Sequence, residues 1–157
     1  MAVDIYLRID GITGESQAAN FKGHIQLQSV NLEAVNPVNI GLGAGGGGGK
    51  MSFGPMTVTK PPDSASPQIF LMLAQGTHIA TATLSFVHTG ATTAYITIDL
   101  NMINFTAMTT SVTGGVPLET VSLVYKVLKY TVQQQGPTGV AKPPVSGGWD
   151  TIKNIKL

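Results

Sequence analysis

Residues 40 to 50 limit the folds open to this chain more than any other stretch, because seven of these eleven residues are glycine. Glycine brings no side chain to a core and loses more backbone freedom on folding than any other residue. The run therefore predicts a loop that connects other elements. Whether this loop holds a phosphate, tethers two strands or contacts a partner decides much of the functional interpretation.

Two nucleotide-binding motifs overlap this loop, and both are incomplete. Residues 41–46 match the spacing Gly-x-Gly-x-x-Gly, but the residues that follow favour a strand, whereas a dinucleotide site requires a helix there. Gly49 and Lys50 resemble the end of a phosphate-binding loop, which needs Ser or Thr next, and Met51 follows instead. We therefore expect no nucleotide and no other cofactor.

Most of the remaining chain has the pattern of β-strands. Apolar and polar residues alternate with a period of two, or β-branched and aromatic residues dominate, over residues 3–9, 79–87, 94–105, 105–112 and 118–132. A second strand begins at Ile25, and its apolar parity changes near Gln28, which predicts a bulge and local curvature.

Only one helix is predicted. Ser66 is expected at the N-cap, Pro67 at the first helical position and Gly76 just past the end. Residues 69–73 are apolar nearly all round, so we expect this helix to plug an opening or to lie in an interface. The fold class is mainly β: a small closed barrel of antiparallel strands with one short helix. Residues 1–132 are predicted to form the barrel domain, and residues 133–157 a flexible linker and tail.

The composition favours self-association. Charged residues are 11% of the chain and the mean hydropathy is +0.21, whereas roughly 25% charge is typical of soluble domains. The net charge of +1 gives no basic footprint for nucleic acid. The sequence also has no apolar stretch long enough for membrane insertion and no pattern of a cleaved signal peptide at its start.

The sequence offers no set of catalytic or metal-binding residues. There is no cysteine, and His24, His78 and His88 lack the close spacing of a metal site. Ser16 follows Gly14 as in a nucleophile elbow, but the second glycine of that motif is missing. The eight carboxylates are scattered singly. We therefore expect no enzymatic activity and no metal.

Several short matches, in order along the whole chain, resemble the haemolysin-coregulated protein (Hcp) family, the tube subunits of the bacterial type VI secretion system. The matching residues are Ala2, Val3, Asp4, Ile5, Gly14, Glu15, Ser16, Gly49, Lys50, Thr59, Lys60, Asp63, Ser66, Pro67, Leu71, Gly76 and His78. The resemblance implies a compact barrel, six copies in a ring, and rings that stack into a hollow tube driven outward by a contractile sheath.

The resemblance also implies the interaction sites. The loop after the second strand would reach the neighbouring ring, and its contact residues would be Asn36, Val38, Ile40, Leu42, Gly45, Gly49 and Lys50. Asn31 and Glu33, on the polar parity of the second strand, are candidates for a lumen surface that holds effector cargo. The implied partners are further copies of the chain, effectors, and the spike and sheath of the machine. The protein would be cytoplasmic during assembly and then secreted without a cleaved signal peptide.

Two alternatives remain open at this stage. A tail-tube protein of a phage or of an extracellular contractile particle has a related architecture that the sequence does not separate from the first interpretation. A carbohydrate-binding β-sandwich, from a different functional class, would also account for the many threonine and asparagine residues.

Overall fold

The computed structural model describes residues 2–38, 49–135 and 138–157. These residues form a mainly β structure with one short helix, and every strand pairing is antiparallel. The elements in chain order are β1 Val3–Ile9, β2 Ile25–Leu27, β3 Ser29–Asn31, β4 Ala34–Val35, β5 Ser52–Phe53, β6 Met56–Lys60, α1 Ser66–Gln75, β7 Ile79–His88, β8 Ile96–Thr113, β9 Val116–Val124, β10 Val127–Val132, β11 Val145–Asp150 and β12 Ile155–Lys156.

Strand β8 connects the two parts of the main sheet. Its first half pairs with β7 and β10, and its second half, from Asn104, pairs with β9. The change of partner occurs beside Met102, whose φ of 57° is left-handed, a conformation uncommon for a residue with a side chain. A register shift between Phe105 and Ala107 follows. One strand of 18 residues can therefore serve two groups of partners because it bends where it changes neighbours.

Where a bulge is predicted near Gln28, the structure has a break between two strands. Gln28 separates β2, which pairs with β1, from β3, which pairs with β6. Its N–H still donates to the carbonyl of Thr59 at 2.8 Å, so the chain passes from one partner to the next without losing this backbone bond. The change of apolar parity in the sequence therefore marks a change of strand partner.

The core lies between the two parts of this sheet and the helix. Its largest fully buried apolar members come from both parts of the sheet and from the helix: Leu7, Ile25, Met56, Val58, Ile69, Leu84, Leu100, Ile103, Val121 and Leu123. Aliphatic residues of this kind contribute most of the free energy of folding when they leave water.

The helix has the predicted length and C-terminal end, but the predicted N-cap is wrong. Gly76 adopts φ 62° and ψ 33°, and its N–H reaches back to the last turn, as a left-handed cap does. The N-cap is Ala65, with no capping bond from its side chain, and Ser66 lies inside the helix. The hydroxyl of Ser66 is not free to cap because it bonds to a buried ion cluster.

That cluster surrounds the ammonium group of Lys60, whose side chain is 1% exposed. Its Nζ lies 2.8 Å from Asp63 Oδ1, 2.9 Å from Glu119 Oε2 and 3.0 Å from Ser66 Oγ. The Ser66 hydroxyl in turn lies 2.8 Å from Glu119 Oε2 and accepts the backbone N–H of Asp63. One cation thus joins the end of β6, the start of α1 and strand β9. A buried charge is tolerated only with such complete pairing.

The C-terminal segment differs from the flexible linker and tail expected for residues 133–157. Within it, β11 pairs with β10 along its whole length, from Val145 opposite Val132 to Asp150 opposite Val127, and β12 pairs with β11. Gly147 and Gly148 lie in β11. The exposed edge of β10 offers unpaired backbone groups, and pairing with them satisfies those of β11 despite its weak strand propensity.

We predict that Lys60→Met lowers the free energy of unfolding by about 3–5 kcal/mol, because it leaves the buried carboxylates of Asp63 and Glu119 without their cation. Denaturant titration followed by circular dichroism measures the loss. The matched control is Lys129→Met at an exposed position, with an expected change within about 0.5 kcal/mol. A loss below about 1 kcal/mol in Lys60→Met would show that the cluster does not hold these elements together.

Candidate functional site

The first candidate surface is a two-stranded arm at the base of the glycine-rich loop. The β3–β6 pair is extended by a second pair of strands, β4 and β5. Among the described residues these two strands pair only with each other. Val35 at the outer end of β4 is 45% exposed. A pair of two-residue strands cannot be stable alone in water, so the arm depends on the longer β3–β6 ladder beneath it.

Two glycines allow the strands of this arm to approach closely. A Cβ on Gly49 would collide with the carbonyl oxygen of Pro37, so the two segments that flank the loop meet at its base. A Cβ on Gly54 would lie 2.7 Å from Oε2 of Glu33, whose backbone carbonyl accepts the N–H of Gly54 at 2.8 Å. Close contact with the opposite segment of the arm thus favours glycine at positions 49 and 54.

The loop residues predicted to contact a neighbour are described only in part. Asn36, Val38 and Lys50 are exposed, and Gly49 is half-buried against Pro37. Ile40, Leu42 and Gly45 lie outside the described residues. Those that are described fall at one end of the arm, where they are accessible to another molecule.

The predicted cargo-facing residues are both on the surface. Asn31 is exposed on β3, and Glu33 is exposed between β3 and β4. Their neighbours of opposite parity, Val30 and Leu32, pack against the core. The alternation that suggested this polar face is therefore present in the fold, while the use of that face stays a prediction.

The second candidate surface, which the sequence analysis did not assign residue by residue, is an apolar stripe on α1. Phe70 and Leu71 are 59% and 54% exposed, and Pro67 and Ala74 are also exposed. These four residues follow the helical spacing i, i+3, i+4 and i+7, which places them on one face. The helix carries no charged residue. The same spacing in the sequence could have identified the stripe, but there the opposite face looked equally apolar.

The third candidate surface is the outer part of the β8–β9 hairpin. From Asn104 onward β8 has no partner other than β9 among the described residues, and residues 116–118 of β9 have none other than β8. Val112 and Val116 are 65% and 63% exposed near its tip. No charged residue occurs between Asp99 and Glu119. Uncharged strands with free edges are the kind of surface that other proteins' strands or faces cover.

None of these surfaces has the composition of a catalytic or metal centre. The described residues contain no group of three potential metal ligands. His24 packs its ring edge-on against Phe21, and partial burial, together with the charge of Arg8, lowers the pKa of His24. Helix α1 has ten residues, and no helix among the described residues is long and apolar enough to cross a membrane.

We predict that Gly49→Ala loosens the arm without unfolding the subunit, because the added Cβ must displace the backbone at Pro37. Amide hydrogen exchange at residues 34–35 and 52–53 should become faster, while exchange in the core strands stays unchanged.

Gly147→Ala is the matched control for this substitution, since a Cβ there meets nothing within 4 Å. Equal exchange at the arm in Gly49→Ala and in the unmodified protein would contradict the close approach at the base of the loop.

Comparison with known families gives one match that covers most of the chain. The family described as "Type VI secretion system effector, Hcp" matches residues 6–132. A comparison with curated proteins gave no match.

Solved structures of similar fold include one described as a secretion system protein and two described as Hcp proteins. A "type six secretion system protein" is 27% identical with a TM-score of 0.93, over 99% of this chain and 100% of that chain. Hcp1 from Salmonella typhimurium is 26% identical with a TM-score of 0.83, over the whole of both chains. The secreted protein Hcp3 from Pseudomonas aeruginosa is 21% identical with a TM-score of 0.65, over 95% and 98%, and shows likeness of fold alone.

Proposed function

The chain belongs to the Hcp family of type VI secretion system effectors, and from that membership we propose that it is a structural subunit of the secretion tube. Six copies form a ring, and rings stack into a hollow tube. The mechanism is self-assembly and not catalysis. The observation that carries the proposal is the pairing of this family membership with large uncharged surfaces that one subunit leaves uncovered.

The exposed apolar residues support association between copies. The α1 stripe and the outer part of the β8–β9 hairpin both lack charged residues, and together they expose Phe70, Leu71, Val112 and Val116 by more than half. Monomeric proteins rarely leave such surfaces uncovered, because burying apolar area is favourable. In a closed ring the contacts are head-to-tail, so one surface of each copy covers a different surface of the next copy.

The strand pairings support a barrel as the form of the subunit. They run from β7 to β1 and β2, continue through Gln28 into β3, pass to β6 and β9, and return through β8 to β7. A closed circuit leaves fewer free edges, which limits uncontrolled pairing of one subunit with another. In this proposal the ring contacts are confined to the arm, the hairpin and the helix.

The arm is proposed to join successive rings. Its base is a short, closely packed pair of strands, and its exposed end includes Asn36, Val38 and Lys50. The glycine run between them would add reach, and Ile40, Leu42, Gly45 and Gly49 would belong to the same contact. A tube subunit would have the spike and the sheath of the machine as further partners. It would be secreted without a cleaved signal peptide.

We predict that the purified protein sediments as a closed oligomer of about six times the 16.3 kDa subunit mass at micromolar concentration. Analytical ultracentrifugation measures the mass, and negative-stain microscopy should show rings with a central hole. A monomer at these concentrations would contradict the tube assignment.

A second prediction separates stacking from ring formation. Deleting residues 45–48 should leave the ring intact and shorten or abolish tubes, because reach is lost while Gly49 keeps its contact with Pro37. Replacing the same four residues with serine keeps the length and is the matched control, which should still stack. Microscopy counts rings per tube in both variants. Tubes of equal length would remove the loop from the stacking contact.

The lumen role of Asn31 and Glu33 is proposed on their exposure alone. The double variant Asn31→Ala and Glu33→Ala should retain less co-purifying effector than the unmodified ring. Gln17→Ala, at another exposed polar position, serves as the control. Equal retention in all three proteins would discard these two residues as cargo contacts.

A further inference from the structure

A pocket of about 450 Å³ lies between β5 and the turn that follows β11. Its lining includes Phe53, Tyr125 and Ile152, together with Met51, and the rings of Phe53 and Tyr125 pack with centroids 4.9 Å apart. The volume falls within the range of about 300–1,000 Å³ that is usual for small-molecule sites. One wall is thus apolar and held in place by an aromatic pair.

Tyr125 contributes its ring to the lining of this pocket. The residue is 3% exposed, and its hydroxyl is buried without a hydrogen-bond partner among the described residues. Burial raises the pKa of Tyr125 to about 12, so the phenol stays protonated. Because the hydroxyl is inaccessible, a molecule in the pocket contacts the ring of Tyr125 and not its hydroxyl.

Two lysines give the pocket a positive rim. Lys50 and Lys126 line it, both are exposed, and neither has an ion-pair partner among the described residues. Asp150 is the acidic residue next to the lining residues Thr151 and Ile152 in the sequence. Asp150 Oδ1 accepts the backbone N–H groups of Ile152 and Lys153, so it is held within its own turn. The field around the pocket therefore favours an anion.

We propose that this pocket binds a carboxylate group carried on an apolar body. The carboxylate accepts from the ammonium groups of Lys50 and Lys126, and the apolar body contacts Phe53, Tyr125 and Ile152. Charge-assisted hydrogen bonds of this type are the strong ones in proteins, and the apolar wall adds burial.

The carboxylate could come from a small organic acid or from the free C-terminus of a polypeptide. Both present the same group beside an apolar side chain. The site lies within one subunit, so the proposal goes beyond the tube assignment and does not depend on ring formation.

Calorimetric titration with 3-phenylpropionate tests the proposal, with 3-phenylpropanamide as the uncharged probe of the same shape. Saturable binding of the acid, at least about tenfold tighter than the amide, is expected from the charge-assisted contacts. Equal affinity of acid and amide, or no binding of either, would overturn the proposal. The titration is repeated on the variant that lacks residues 45–48. If neither protein binds 3-phenylpropionate, the proposal is overturned.

Substitutions at the pocket should weaken binding selectively. Lys126→Met and Lys50→Met are each expected to lower the affinity for 3-phenylpropionate about tenfold, without lowering the free energy of unfolding. Lys153→Met, an exposed lysine that does not line the pocket, is the matched control and should bind normally. Unchanged affinity in both pocket variants would contradict the assignment of these groups.

N-acetylphenylalanine and its amide distinguish the two sources. Tighter binding of N-acetylphenylalanine than of 3-phenylpropionate supports a polypeptide C-terminus, and the reverse order supports a small organic acid. Either order is consistent with the carboxylate site. If N-acetylphenylalanine amide bound as tightly as N-acetylphenylalanine, the carboxylate site would be contradicted. This outcome does not depend on the oligomeric state of the protein.

Discussion

The pairing of Lys60 with Asp63 and Glu119 fixes the relation between the helix and the sheet. Lys60 and Glu119 are direct partners in the β6–β9 ladder, so their side chains can meet only in this register. Asp63 and Ser66 then attach the start of α1 to the same ammonium group. A register shift of one residue between β6 and β9 would place the side chains of Lys60 and Glu119 on opposite faces of the sheet. Buried charges would then be left without partners. The cluster thus gives specificity to a fold whose other core contacts are apolar and less directional.

The same cluster contains both ion pairs found among the described residues. The ion pairs of the described residues are therefore confined to the place where they order the subunit, and the α1 stripe and the outer β8–β9 hairpin carry no charge. An uncharged surface loses little hydration energy when another copy covers it, so apolar contact alone can drive association. This distribution explains how a chain with 11% charged residues can be a well-specified subunit that also associates.

The proposed ligand pocket occupies a different part of the molecule from the α1 stripe and the outer β8–β9 hairpin. It combines the base of the glycine-rich arm with the C-terminal strands, which the sequence pattern did not identify as part of the fold. Lys50 and Lys126 lie at its rim, and the rings of Phe53 and Tyr125 form part of its wall. Lys50 belongs both to the arm that we propose as a contact between rings and to the lining of the pocket, so occupancy of one would affect the other.

Strand positions were largely predictable because each strand carries its own alternation. The segments that became β1, β7 and β8, the irregularity at Gln28 and the helix end at Gly76 all follow from local residue type. Residues 118–132, predicted as one strand, form β9 and β10, which pair with different halves of β8. No local signal marks that break, because Tyr125 and Lys126 fit a strand as well as their neighbours do.

The sequence by itself therefore determined the class of fold, the place of the helix and the position of a loop with no core residues. These properties depend on side chains within a few positions of one another. The tertiary structure alone decided that Ser66 serves the Lys60 cluster instead of a cap, that β11 joins the sheet, and that Phe70 and Leu71 face outward. Each of these outcomes depends on a partner far away in the chain, and local propensity contains no information about which partner arrives.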